Sequence, residues 1–217
     1  MDIITIDGTA SSGKSTVGFL FAKKIGYQFI DSGLIYRVGV LLAKRNNIQV
    51  SDGEGLAKAL LKSRIDFKTV GEQVKVFLRG EDVTYFLKTP EIDQLVPIVA
   101  ARKEVRAATK GVQREVGGRQ NTVMAGRDIG SEIFPEARLK FFITASVAAR
   151  AKRRYEQLVK NHPTVNLKDI EEEIKNRDRQ DATRQASPMR VPENGIVIDT
   201  SDMNIAQVVE KLFKFYG

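Results

Sequence analysis

The sequence predicts an α/β protein built on a parallel sheet. Three observations lead there. Short apolar runs alternate with helical stretches at both ends of the chain, a glycine-rich turn joins the first run to the first helix, and residues from about 38 to 120 break that rhythm. Strand–helix alternation covers both faces of a parallel sheet. The interrupting stretch reads as a lobe inserted into that core, with no flexible linker.

Each element has its own signal. Ile3 to Asp7 is a short apolar run that ends at a glycine and reads as a buried strand. Ser15 to Ile25 reads as a helix stopped by Gly26. Tyr27 to Asp31 reads as a second strand, and Gly33 to about Arg45 as a helix for which Ser32 is in place to act as N-cap. Ser51 and Glu54 have capping-box spacing, which opens a short helix through Lys62. Ile65–Thr69 and Val74–Leu78 alternate around Val70-Gly71-Glu72-Gln73, the pattern of a β-hairpin. Pro90 to about Gly117 is helical in pattern, with interruptions expected near Pro97 and Arg102. Thr122–Ala125 and Leu139–Thr144 read as buried strands, Val147–Leu158 as a basic helix broken by Asn161-His162-Pro163, and Leu167 to about Arg184 as a charged helix. Gly195–Asp199 is a last strand and Asn204–Phe215 a closing helix.

Composition narrows the chemistry. The 217 residues are 42% hydrophobic and 29% charged, ordinary for one compact globular domain. There is no cysteine, which excludes disulfides, thiolate metal sites and cysteine nucleophiles, and the one histidine, His162, cannot build a histidine metal site alone. No run approaches the roughly 20 apolar residues a membrane helix needs. The N-terminus lacks the basic region of a secretory signal, so the expected location is cytoplasmic. The net charge is +8, but arginines and lysines are dispersed and interleaved with acids. That pattern reads as a field for anionic small molecules rather than as a nucleic-acid footprint.

Gly8-Thr9-Ala10-Ser11-Ser12-Gly13-Lys14-Ser15, followed by Thr16, fits the phosphate-loop pattern between a strand and a helix. Backbone N–H groups and the helix N-terminus make a concave anion site there. Lys14 can reach the β- and γ-phosphates of a nucleotide, and the Ser15 hydroxyl can bind Mg²⁺. The loop speaks for a nucleoside triphosphate and is silent on the fate of its phosphate. Ser32, Tyr36 and Arg37 open the helix after the second strand. Arg127 and Asp128, in Gly126-Arg127-Asp128-Ile129-Gly130, follow the strand at 122–125. Ligands of open α/β sheets bind beyond the carboxyl ends of the strands, where all three segments fall. Taken alone, Arg127-Asp128 reads as a local salt bridge, and Arg177 with Asp181 as an i,i+4 pair on a solvated helix.

Together these segments resemble the bacterial cytidylate kinase family. The resemblance is carried by Ile4-Thr5-Ile6-Asp7-Gly8 and its loop, Asp31-Ser32-Gly33 with Tyr36-Arg37, Gly126-Arg127-Asp128-Ile129-Gly130 with Phe134-Pro135, and Arg177-Asp178-Arg179-Gln180-Asp181 with Arg184. It covers nearly the whole chain, most loosely between about 40 and 90. It implies a P-loop NTPase-type, three-layer fold with a five-stranded parallel sheet, a monophosphate-binding lobe with a small antiparallel insert, and a mobile lid. The matching division is a core of 1–37, 121–149 and 164–217, a lobe of 38–120 and a lid of 150–163. The implied reaction moves the γ-phosphoryl group of ATP, with Mg²⁺, onto CMP or dCMP, in a monomer that needs no nucleic acid and no membrane.

The resemblance also implies roles. Lys14 and the loop amides hold the donor. Arg37 and Arg127 clamp the acceptor phosphate, Arg177, Asp181 and Arg184 lie on its ribose and phosphate side, and the lid basics Arg150, Arg153 and Arg154 close over the phosphates. A guanidinium fork matches phosphate oxygens, and no protein nucleophile is needed. A carboxylate at Asp128 accepts from the cytosine amine and repels the uracil carbonyl, while Arg106 donates to the ring. Two departures stand out. Pro97 occupies the place where the family usually offers a serine hydroxyl to the base, and Thr9 and Ser12 stand where it often has proline and alanine.

Overall fold

The structure is a computed structural model of the chain and describes residues 1–160 and 162–217. The helix break read at 161–163 includes Asn161, which lies outside the described residues.

A five-stranded parallel sheet forms the centre, from β1 (Ile3–Gly8), β2 (Gln28–Asp31), β6 (Thr122–Ala125), β7 (Leu139–Thr144) and β8 (Ile196–Asp199), in the order β2-β6-β1-β7-β8. The strands are short and mostly apolar because helices cover both faces. A separate antiparallel sheet joins β3 (Ile65–Val70), β4 (Gln73–Leu78) and the two-residue β5 (Glu81–Asp82). Both sheets match the fold class read from the sequence. By its internal contacts the chain divides into two compact units: Met1–Ile3 with Gly26–Met124, and Ile4–Ile25 with Ala125–Gly217.

The second unit carries α1 (Lys14–Ile25), α6 (Val147–Leu158), α7 (Leu167–Thr183) and α8 (Ile205–Tyr216). Phe21 of α1 meets Phe141 of β7 edge-on at 6.1 Å, and both are fully buried with Ile4, Ile6 and Leu212. Register is fixed by pairs such as Ile6 with Phe141 and Phe141 with Ile196. Ala151, Ile170 and Ile174 seal α6 against α7 in a small core of their own. Asn204 and Gln207 close a reciprocal capping box on α8.

The first unit carries α2 (Gly33–Arg45), α3 (Gly53–Leu61), α4 (Pro90–Ala100) and α5 (Lys103–Gly117). Leu56, Leu60, Val105 and Val112 are buried where α3 packs on α5. The β3–β4 hairpin turns at Gly71, whose φ of 61° suits glycine.

Three local readings need correction. Ser32 sits at the N-cap of α2 but its side chain makes no cap hydrogen bond; its backbone is already helical and the hydroxyl cannot face back. Asp31 does that work, its carboxylate accepting from the Gly33 N–H at 2.9 Å. Helix α3 is capped by Asp52, which accepts from the Gly55 N–H, rather than by Ser51. Pro97 does not interrupt its helix: α4 runs through it, and the break falls at Ala101–Arg102. A proline forfeits one N–H without ending a helix whose sides are packed.

Candidate active site

The glycine-rich loop lies in the second unit, between β1 and α1. Gly8 has φ 155°, and a Cβ on it would sit 2.0 Å from the Ile143 carbonyl oxygen, so no other residue fits there. Gly13 has φ 85° with open space beside it. Ser11, at φ 56°, holds a left-handed conformation between them. These reversals turn the loop on itself. Lys14 is nearly buried and folds back so that its ammonium donates to the Thr9 carbonyl at 3.0 Å. Thr9 and Ser12 each bury a hydroxyl with no hydrogen-bond partner among the described residues.

Beside the loop is a cavity of about 910 Å³, lined by Ser11–Val17, by Arg153 and Arg154 of α6, and by Thr200, Met203 and Ile205 around the start of α8. Sequence reasoning missed it, because three segments far apart in the chain build it. Arg153 shapes one wall. It donates to the Thr200 hydroxyl at 3.1 Å, to the Thr200 carbonyl and to the Met203 carbonyl at 3.3 Å. Arg154 is exposed on the lining, and its side chain makes no ion pair or hydrogen bond among the described residues.

Past β6, the Gly126–Gly130 segment enters a single π-type turn, Ile129–Ile133, closed by the Phe134 N–H on the Ile129 carbonyl at 2.7 Å. Its first amides are held by Asp7. The Asp7 carboxylate, fully buried at the end of β1, accepts from Ile129 N–H at 2.8 Å and Gly130 N–H at 2.7 Å. Burial pushes the Asp7 carboxyl up to about 7, against the pull of the two amides and of Lys14.

Three of the residues expected at the site converge on a fourth, Asp181. Its buried carboxylate takes Arg127 Nε at 2.8 Å, Arg177 Nε at 3.4 Å and Arg184 Nη1 at 3.5 Å. Burial opposes its charge, but the three guanidiniums outweigh burial and hold the carboxyl below its usual range. Arg184 also reaches Asp128 at 3.3 Å and donates to the Ser187 carbonyl at 2.5 Å. The ion pairs of Arg127 and Asp128 therefore run to α7 and to Arg184 just beyond it. Three positive charges around two acids, Asp181 and Asp128, still leave a net positive cluster, suited to an anion.

Arg150 is not on a solvated face. It is buried, donating to the Ala145 carbonyl at 2.8 Å, the Ala10 carbonyl at 2.9 Å and the Asp178 carboxylate at 2.6 Å. The Ala10 N–H in turn donates to Asp178 at 3.0 Å. Asp178 was legible only as part of a motif, with no role attached.

In the first unit, Arg106 of α5 is buried, stacks over the Tyr36 ring of α2 at 5.6 Å, and donates to the Ala100 carbonyl at 3.3 Å. Arg37 pairs with Asp93 at 2.5 Å and donates to the Leu87 carbonyl at 2.7 Å. Pro97 is half-buried on α4, in the same helix as Asp93.

A parallel sheet whose first strand runs into a glycine-rich turn and a lysine-led helix, with an arginine cluster at the end of a neighbouring strand, defines a P-loop protein. The family model described as cytidylate kinase matches residues 4–216. Curated cytidylate kinases are similar over nearly their whole length. That of Caldanaerobacter subterraneus is 43% identical, covering 97% of this chain and 92% of its own; that of Bacillus subtilis is 41% identical, covering 97% and 94%. That of Lactobacillus johnsonii is 40% identical, covering 96% and 91%. The chain belongs to the cytidylate kinase family. Among solved structures, an uncharacterized protein from Eubacterium ventriosum shares the fold at a TM-score of 0.52 and 13% identity, covering 99% of this chain and 98% of that one.

Proposed function

We propose that this protein transfers the γ-phosphoryl group of ATP to CMP or dCMP, forming CDP or dCDP and ADP, in the cytoplasm as a step of pyrimidine nucleotide metabolism. The observation that carries this reading is the convergence of Arg127, Arg177 and Arg184 on Asp181. Phosphoryl transfer asks a protein to position two anions and spread cations over the moving group, with little covalent work of its own. A buried acid that holds three guanidiniums in fixed places meets that demand before any ligand arrives.

The donor's phosphates would lie on the loop from Gly8 to Thr16, with Lys14 leaving the Thr9 carbonyl for a phosphate oxygen. Its nucleoside would fill the cavity by Thr200 and Met203, and Arg154 is the lid arginine in place to meet its phosphates. Mg²⁺ fits this donor set. Among the described residues no group of three or more acids or histidines could hold a metal. A small hard ion would instead take the Ser15 hydroxyl, nucleotide oxygens and water. Bound there, it would neutralise the charge that develops between the phosphates.

On the acceptor side we assign Ser32, Tyr36, Arg37, Arg106, Arg127, Asp128, Arg177, Asp181 and Arg184. Arg37 and Arg127 take the acceptor phosphate. Asp128 accepts from the cytosine amine and Arg106 donates to the ring, so uracil would leave a polar group unpaired. Residues 38–120 serve as the monophosphate lobe and 150–163 as the lid. Among the described residues no helix is long and apolar enough to cross a membrane.

The test is initial-rate ADP formation with MgATP and, separately, CMP, dCMP, UMP, AMP and GMP. Rapid turnover confined to CMP and dCMP is expected. Equal rates with UMP would remove the base-reading roles while keeping the chemistry. No monophosphate-dependent turnover with any of the five would sink the proposal.

A further inference from the structure

We infer that Arg150 and Asp178 form a clasp that positions the donor loop, so that donor affinity depends on two residues that need not touch the donor. The inference rests on the kinase reading above and assigns these residues a task other than phosphate contact.

The clasp closes on one residue of the loop. Asp178 Oδ1 accepts from the Ala10 N–H at 3.0 Å, and Arg150 Nη1 donates to the Ala10 carbonyl at 2.9 Å. The same Nη1 pairs with Asp178 Oδ2 at 2.6 Å, and Arg150 Nε donates to the Ala145 carbonyl at 2.8 Å, at the end of β7. Both polar groups of one residue are thus held by a charged pair that is itself anchored to the sheet. Arg150 is 4% exposed, and a buried charge with matched partners is rigid.

Two consequences follow. The Ala10 N–H is already committed to Asp178 and is not among the donors the loop offers a phosphate. The amides that remain come later in the loop, where Ser11 and Gly13 reverse the chain. Holding Ala10 fixes where those reversals start. The clasp also joins α6 and α7, whose own small core begins next to it, at Ala151 beside Arg150 and at Ile174 one turn before Asp178. These two helices flank the 159–166 connection, so the lid's supports and the donor loop share one charged hinge point. Among the described residues no side-chain ion pair or hydrogen bond links Arg150 or Asp178 to the Asp181 cluster, whose partners are Arg127, Arg177 and Arg184.

The experiment measures ADP binding by calorimetry in the presence of Mg²⁺, together with KM for ATP and for CMP. The full-length variants are Arg150→Ala, Arg150→Lys, Asp178→Ala and Asp178→Asn. Asp178→Ala and Arg150→Ala should each weaken ADP binding at least tenfold and raise the ATP KM in step, leaving the CMP KM within twofold. Asp178→Asn keeps an oxygen for the Ala10 N–H and should recover part of the loss, as should Arg150→Lys. The double alanine variant should be little worse than either single one, since both act through Ala10. Unchanged ADP affinity in folded Asp178→Asn and Arg150→Lys and in either alanine variant would overturn the clasp. So would equal losses for ATP and CMP, the mark of general damage. ADP binding needs no acceptor, so the two readings fail separately. A wild type that binds ADP without turning over CMP sinks the kinase reading, and the binding data still decide the clasp.

Discussion

Asp7 places a carboxylate inside a strand whose other residues from Ile3 to Ile6 are apolar or small, and it is fully buried there. Its two partners, Ile129 and Gly130, are 122 and 123 positions away. No local pattern could reveal that pairing; only the oddity of an acid in an apolar run was visible. The same holds for Asp178, whose partner Ala10 is 168 positions distant. Asp181 was legible through its i,i+4 spacing from Arg177, but its partner Arg127 comes from a different strand end. Asp7 has a measurable consequence. Burial raises its carboxyl to about 7, whereas an unfolded chain gives up that proton near 3.9. Between those values the folded protein holds a proton that the unfolded chain has lost. Stability from this group therefore falls as pH rises from about 4 to about 7, then levels off, with a full span of up to about 4 kcal/mol. Asp181 acts in the opposite sense and at lower pH, since its lowered carboxyl stabilises the fold above about 4. Asp7→Asn cannot titrate. Urea unfolding at pH 4.5, 6 and 7.5 should show the wild type losing stability relative to that variant as pH rises. A constant gap across the three would mean Asp7 does not change charge in this range.

Whole elements were easier to read, because each rests on neighbours in sequence. The β3–β4 hairpin follows from alternation on both sides of Gly71, and the strand before the glycine-rich loop from its apolar run. What escaped were features that tertiary packing decides. The third strand of the small sheet is two residues long, too short for any pattern, and exists because Leu78 and Phe77 find partners in Glu81 and Asp82. The π-type turn at 129–133 depends on the buried Asp7 at its start. Pro97 was expected to interrupt α4, yet the helix passes through it. Its missing N–H leaves that helix weaker than it need be. Pro97→Ser restores the N–H and adds the hydroxyl that the family resemblance leads one to expect at this place. It should raise stability in urea by about 1–2 kcal/mol, the helix gain less what proline saves by stiffening the unfolded chain. If the hydroxyl also meets the base, the ratio of kcat/KM for CMP over UMP should rise at least fivefold. A stability gain with an unchanged ratio would confine the effect of Pro97 to the helix.

At the scale of the whole molecule, a net charge of +8 on 217 residues carries information that no single element holds. Self-repulsion of that size weakens a compact state, and an anionic ligand relieves it while binding only the folded form. The dispersed charge was visible in the sequence and reads as a field for small anions, in keeping with a family named for cytidylate. The 910 Å³ cavity beside the loop was not visible, since its walls come from α1, α6 and the start of α8. Cavity and charge together make a prediction about heat stability. MgADP at a hundred times its Kd should stabilise the fold by about 2.7 kcal/mol. For a chain of this length that raises Tm by about 5–10 °C. On the proposed reading adenosine would fill the nucleoside part of the cavity but would bring no phosphate to Lys14 and Arg154. It should raise Tm by less than a third as much at the same concentration. Raising sodium chloride from 0.05 to 0.5 M should shrink the MgADP shift and leave the adenosine shift in place, because salt screens charge and not apolar contact. Equal shifts for the two ligands, or an MgADP shift indifferent to salt, would mean that the cavity recognises the nucleoside and that the loop's positive field has no part in donor binding.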